Sequence, residues 1–235
     1  MKHIISFSGG KDSTAMLLMM IEKNMKIDEI IFCDTGMEFP DMYEHIRKVE
    51  KYIGRIITKL KSNDSFEYYM FIHEKKSGQI GYGWPDFRNR WCTQMLKKSV
   101  ISKHLRSIED EIIEYHGIAL DEAHRAKKNK EKAIRYPLIE WGITETEALQ
   151  YCYEKGFNWN GLYEKFDRVS CWCCPLKGLQ ELRNLYRYYP KYWKRLKRMD
   201  ELAHNRFRLD YSFEEMEKRF SKEIYLEENQ LTIWG

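Results

Sequence analysis

Apolar and polar positions fall into short alternating blocks over the first half of the chain. Residues 3–7 form an apolar run that ends at Ser8-Gly9-Gly10, the pattern of a buried strand entering a turn. Residues 13–24 carry Ala15, Leu17, Leu18 and Ile21 with no breaker, which predicts a helix. The run 28–33 predicts a second strand, stopped at Asp34-Thr35-Gly36; a helix over 41–53 and a strand over 55–60 follow. This alternation predicts an α/β fold with a parallel sheet and right-handed crossovers. Residues 75–91 read as a loop that holds Trp84, Phe87 and Trp91, followed by a helix over 93–105 and a strand over 111–118.

The pattern changes after residue 118. Residues 125–132 are strongly basic without apolar periodicity and read as a mobile surface loop. Thr144-Glu145-Thr146-Glu147 has the spacing of a capping box and predicts a helix to about residue 155. Residues 177–220 read as mostly helical, interrupted at Pro190, with a second capping box at 212–215. We therefore expect a nucleotide-binding domain over 1–176 and a helical C-terminal extension over 177–235.

The chain has 235 residues, 40 basic and 36 acidic, for a formal net charge of +4. A mildly basic balance does not by itself imply nucleic acid. The best apolar run, 14–21, is too short to span a bilayer and sits behind the charged Lys11-Asp12 pair, so we expect a cytoplasmic protein with no membrane partner. Six cysteines in so long and charged a chain read as metal or redox ligands rather than a disulfide framework. Three of them crowd into Cys171-Trp172-Cys173-Cys174.

The sharpest chemical signal is Ser8-Gly9-Gly10-Lys11-Asp12-Ser13. Two glycines after a strand let the backbone turn tightly and bring N–H groups close to a ligand. The helix that follows favours an anion at its N-terminus. Ser8 and Ser13 add hydroxyls, Lys11 adds charge, and Asp12 is placed to orient Mg²⁺ or cap the helix. The competing reading is a plain glycine turn with a helix cap. The loop is neither Gly-x-x-x-x-Gly-Lys-Ser/Thr nor Gly-x-Gly-x-x-Gly, which disfavours a Walker-type NTPase and a dinucleotide fold.

This loop resembles the PP-loop of the adenine nucleotide alpha-hydrolase superfamily. Within it, Asp34-Thr35-Gly36 with Glu38-Phe39-Pro40, Arg90-Trp91-Cys92-Thr93 with Lys97, and residues 117–125 resemble the phosphoadenosine phosphosulfate (PAPS) reductase family. The resemblance covers residues 1 to about 177. It implies a Rossmann-like sheet with ATP or a related adenine nucleotide across the strand C-termini. Ser8, Gly9, Gly10, Lys11, Asp12 and Ser13 would hold the phosphates. Asp34 and Thr35 would line the nucleoside side, and Gly117, Asp121, Glu122 and Arg125 would close the pocket. For Asp34 the competing reading is a strand-end turn.

The family pattern also places Cys92 facing the Cys171–Cys174 segment. Three readings stay open there: a [4Fe–4S] cluster on Cys92, Cys171 and Cys174 with Cys173 or an outside group fourth, a structural Zn²⁺ on all four, or metal-free thiols. Cys33 and Cys152 read as core thiols. The chain departs from the family twice. Assimilatory PAPS reductases carry a catalytic cysteine in a C-terminal Glu-Cys-Gly-x-His tail, whereas this chain ends Leu-Thr-Ile-Trp-Gly. Cluster-type adenosine phosphosulfate (APS) reductases pair two cysteines where Trp91-Cys92-Thr93 has one.

The expected function is ATP-dependent adenylation of a substrate for sulfur transfer, with Lys11, Asp12 and Cys92 catalytic and a tRNA or DNA target and a sulfur or electron donor protein as partners. The alternatives are a PAPS or APS reductase and a non-catalytic nucleotide- or nucleic-acid-binding accessory. Support for nucleic acid comes from Arg187, Lys191, Lys194, Arg195, Lys197 and Arg198 among Tyr and Trp residues. The competing reading there is an amphipathic helix pair with solvated charges.

Overall fold

The computed structural model describes residues 1–128, 133–169 and 171–231. Part of the basic run at 125–132 lies outside the described residues. What is described of it belongs to a 3₁₀ segment, Leu120–Lys128, where the sequence predicts an irregular loop.

Strand β1 (Lys2–Ser6) leads through the glycine loop into α1 (Lys11–Glu22); β2 (Glu29–Asp34), α2 (Pro40–Ile53) and β3 (Thr58–Lys61) follow. Pro40 opens α2 at a position where its missing N–H costs nothing. Helix α3 (Phe66–Phe71) precedes the aromatic loop. A continuous helical rod then runs through α4 (Trp91–Thr93), a π-helical turn (Gln94–Lys98) and α5 (Ser99–Arg106). After β4 (Ile112–His116) come β5 (Ile134–Arg135), α6 (Pro137–Glu140), α7 (Glu145–Glu154) and a 3₁₀ segment (Trp159–Glu164). The C-terminal helices are α8 (Leu179–Tyr188), α9 (Pro190–Leu202) and α10 (Phe213–Leu231), with Pro190 separating the first two as expected.

The five strands form one parallel sheet in the order β3-β2-β1-β4-β5. Ile5 of β1 pairs with Ile30 on one side and Tyr115 on the other, all three buried. The order reverses at β1, so the crevice between the β1 and β4 C-termini is where open α/β sheets bind ligands. The apolar core is one cluster that runs from Ile5, Phe7 and Phe32 through Phe39, Trp84 and Trp172 to Leu185, Trp193 and Phe220. The Phe39 ring packs at a tilt against both Phe166 and Tyr189, which ties the C-terminal helices to the mouth of β2. Among the described residues no helix is long and apolar enough to cross a membrane.

Candidate active site

The glycine loop is tied from within and from behind. Gly9 adopts φ +77°, a left-handed conformation, and a Cβ there would stand 2.6 Å from Met42 Sδ. The Ser13 hydroxyl donates to Gly10 O (3.1 Å), accepts from Ser8 N–H (3.2 Å) and meets the Ser8 hydroxyl at 3.0 Å. Behind the loop, Trp159 Nε1–H donates to Gly9 O (2.8 Å), and the Trp159 ring stacks on His45, which bonds the Thr14 hydroxyl (3.0 Å). Lys11 N–H donates to the Tyr163 hydroxyl at 2.7 Å. The N–H groups of Asp12 and Ser13 have no acceptor among the described residues, as the first turn of a helix leaves them.

Gly117, just after β4, packs directly on this turn. A Cβ there would lie 2.6 Å from Ser13 Cα and 2.9 Å from Asp12 C, so only glycine allows the β4 end to approach α1. Beside it stand three carboxylates. One oxygen each of Asp12, Glu122 and Glu145 lies within 4.8 Å of the others, and Asp12 Oδ1 is buried with no hydrogen-bond partner. Burial raises the Asp12 pKa to about 6; Lys11 opposes the rise, while Glu145, Glu122 and Asp121 add to it. An orphaned carboxylate oxygen among hard oxygen donors fits a divalent cation such as Mg²⁺.

The flanking cations are already engaged. Lys11 Nζ lies 3.5 Å from Glu145, and Glu122 pairs with Arg125 and with Arg168 (2.6 Å). Asp121 accepts the Glu145 N–H (3.2 Å), fixing the start of α7 over the start of α1. Glu145, Tyr163, Trp159 and Arg168 are absent from the sequence reading of the site; only Glu145 carried a local signal, as the first helical residue after the Thr144 cap.

Asp34 and Thr35 leave the end of β2 in different directions. Asp34 accepts from Gly36 N–H (2.8 Å) and the Tyr43 hydroxyl (2.6 Å), which is the strand-end turn considered above. Thr35 donates to Glu38 Oε1 (2.8 Å) and lies 3.6 Å from Cys171 Sγ, so it belongs to the cysteine cavity.

Cys92, Cys171, Cys173 and Cys174 all line that cavity, with Thr35 and Lys97. Its volume is about 130 Å³, several times the ~30 Å³ share of one water. The segment 171–174 is a tight turn, with Cys174 N–H on Cys171 O (3.3 Å) and Trp172 N–H on Met37 O (3.1 Å). The buried Trp172 ring anchors it, 5.0 Å from both the Tyr192 ring and the Arg195 guanidinium. Burial lifts the Cys171 thiol to about 12, with Glu38 adding to the rise, and lifts Cys92 and Cys173 in the same direction. Burial opposes the Lys97 charge, yet the nearby Cys171, Glu38, Cys33 and Cys92 raise its pKa overall. Four soft donors around one cavity fit a thiophilic metal group. Cys33 and Cys152 face elsewhere, their thiols donating to Leu96 O (3.0 Å) and Lys11 O (3.5 Å).

The basic C-terminal helices present their charges differently. Arg187 pairs with Glu227 and Glu228, Arg195 with Glu67, Lys197 with Glu214 and Glu217, and Arg198 with Glu201. Trp193 is in the core.

Two uncharacterized proteins of Methanocaldococcus jannaschii are 28% and 29% identical over 82% and 79% of this chain. The chain spans only 40% and 44% of their lengths. The crystal structure of the phosphoadenylyl-sulfate (PAPS) reductase from Candida auris, in complex with phosphate, superimposes with a TM-score of 0.50 at 16% identity. It covers 72% of this chain and 81% of that one, a likeness of fold. The family model for the phosphoadenosine phosphosulfate reductase domain matches residues 2–177, from β1 through the cysteine segment, and the chain belongs to that family.

Proposed function

We propose that this protein is a PP-loop enzyme that cleaves ATP to pyrophosphate, adenylates a substrate oxygen and passes sulfur to the activated position. The observation that carries this reading is the placement of two chemistries on neighbouring strands. The glycine loop leaves β1, and Thr35, touching Cys171, leaves β2, its hydrogen-bonded neighbour about 4.8 Å away. A nucleotide on the loop would thus lie beside a thiol-lined cavity.

In this reading Lys11 and the free N–H groups of Asp12 and Ser13 face the phosphates. Asp12, Glu122 and Glu145 would hold Mg²⁺, which offsets charge on the departing pyrophosphate. Arg125 and Arg168 orient Glu122. The substrate oxygen takes the adenylyl group, and a sulfur nucleophile then displaces AMP. Cys92, Cys171, Cys173 and Cys174 would hold the metal group. A tetrahedral zinc with Zn–S bonds near 2.3 Å needs sulfurs about 3.8 Å apart. Among the described residues no three cysteine sulfurs lie within 4.8 Å of one another, a spacing wider than a zinc tetrahedron on three or four of them needs. A [4Fe–4S] cluster supplies a sulfur-binding or electron-transfer centre.

A second reading, reduction of PAPS or APS, is favoured by family membership. It needs a thiolate free to attack sulfur, whereas in the first reading the cavity thiols are committed to the metal group. Incubation with radiolabelled ATP, Mg²⁺ and cell RNA separates the two. The proposal expects AMP and pyrophosphate, with Lys11→Ala slower by roughly 10²–10³-fold. Sulfite release from PAPS without ATP turnover would establish the reductase instead.

A further inference from the structure

The chain from residue 87 to residue 108 contains no aspartate or glutamate, but holds Arg88, Arg90, Lys97, Lys98, Lys103 and Arg106. Of these, Lys97 faces Glu38. The other five are exposed and have no acidic partner among the described residues. This contrasts with the C-terminal helices, where Arg187, Arg195, Lys197 and Arg198 are matched by glutamates. Five cations without an acidic partner among the described residues therefore lie on the segment that also delivers Cys92 to the cavity, in a stretch with no acidic residue of its own.

Its arrangement is linear. Arg90 lines the cysteine cavity at the start of the α4–π–α5 rod. Gln94, Lys98, Ser102 and Arg106 recur every four residues along one face, flanked by Ser99 and Lys103, and line a shallow open cleft. At 1.5 Å per residue the stripe from Arg90 to Arg106 is about 24 Å long. A second cleft adjoins it through Ser99 and Lys103 and adds Lys61, with Asp64 as an acidic group there. At the cavity end, Phe87 is 71% exposed, with the Arg88 guanidinium 5.1 Å from its ring centroid. Phe87 sits in a groove that shares Pro85 and Pro175 with the cysteine cavity.

We propose that this face binds a single-stranded nucleic acid. Its phosphates run along Lys98, Lys103 and Arg106, and a base stacks on Phe87 at the mouth of the cysteine cavity. A cationic track with hydroxyl donors and an exposed aromatic at one end is the chemistry of backbone tracking plus stacking. The track places an unstacked base beside the thiols, so the proposal names the acceptor class of the sulfur transfer proposed above and rests on that reading for its purpose, but not for the binding itself.

The test is fluorescence anisotropy of a fluorescein-labelled 20-nucleotide oligouridylate, titrated with the full chain from 50 to 300 mM KCl. The expected result is salt-dependent binding. Removing three phosphate contacts in a Lys98→Ala/Lys103→Ala/Arg106→Ala variant flattens the log–log salt slope by about 2 and weakens binding at least about tenfold. Phe87→Ala weakens it roughly 5- to 150-fold. A control removing Lys191 and Lys194, exposed on α9, leaves it unchanged. An unchanged melting temperature shows that each variant folds. The proposal fails if no binding is seen at 50 mM, or if the α9 control weakens binding as much as the triple variant. It also fails if polyglutamate competes as well as the oligonucleotide and Phe87→Ala has no effect, which would assign the face to an acidic polypeptide. AMP release from ATP, measured on the same samples, reports the adenylation reading separately from the binding.

Discussion

At Asp12 the structure holds a carboxylate in conflict with its surroundings. Its pKa of about 6 stands above the ordinary 3.8, so the native state binds this proton more tightly than the unfolded chain. The stability it contributes is present at acid pH and is lost as pH rises from about 4 to about 6, by at most about 3 kcal/mol. His45 acts in the opposite sense. Burial lowers its pKa to about 3, so its contribution is present above about pH 6.5 and is lost as pH falls. Asp12→Asn should therefore raise the melting temperature at pH 7.5 and expose the acid-side loss caused by His45. Mg²⁺ should stabilise the wild type at pH 7.5 but not this variant; equal Mg²⁺ shifts in both would remove Asp12 from the cation site. Gly117 tests the other wall. Gly117→Ala forces a methyl against the α1 backbone, with an expected cost of about 1–3 kcal/mol in denaturant unfolding and a loss of nucleotide affinity. The Ser8–Ser13 loop was legible in the sequence because its residues are contiguous. Glu145, Tyr163 and Trp159 were not, since each reaches the loop from more than 130 positions away in sequence.

The elements that carry the site differ in how openly the sequence announces them. Helix α7 is announced by Thr144 and Glu147. Both capping bonds form, Thr144 Oγ1 accepting the Glu147 N–H at 3.3 Å and Glu147 Oε2 accepting the Thr144 N–H at 2.9 Å. Thr144→Ala should cost about 1 kcal/mol of stability and weaken Mg²⁺-dependent stabilisation, because Glu145 loses its fixed start; calorimetry with and without Mg²⁺ reads both. The π-helical turn after Cys92 has no sequence signature, although such turns often mark functional sites. Strand β5 and helix α6 are too short for periodicity to reveal them. The Trp159–Glu164 segment was hidden for a different reason. Trp159 and Asn160 hold φ of +49° and +51°, a conformation that glycine, not tryptophan, would signal. Asn160 is held there by its amide bonds to Asp41 and Glu44, both at 2.9 Å.

Across the whole molecule, the sheet order brings three remote stretches to one edge: the loop after β1, the turn after β2 and the Cys171–Cys174 turn. The parallel sheet follows from the alternation of apolar runs. The meeting of Cys92 with Cys171, Cys173 and Cys174 does not, because cysteines some 80 positions apart carry no local signal of contact, and the expectation came from family resemblance. The cavity they line is the centre of the account, and the measurement that tests it most directly is metal and acid-labile sulfide analysis of protein purified without oxygen. The account predicts about four irons per chain with a visible absorption band, both lost on Cys92→Ala or Cys171→Ala while the fold persists. Stoichiometric zinc, or four free thiols with no bound metal, would contradict it.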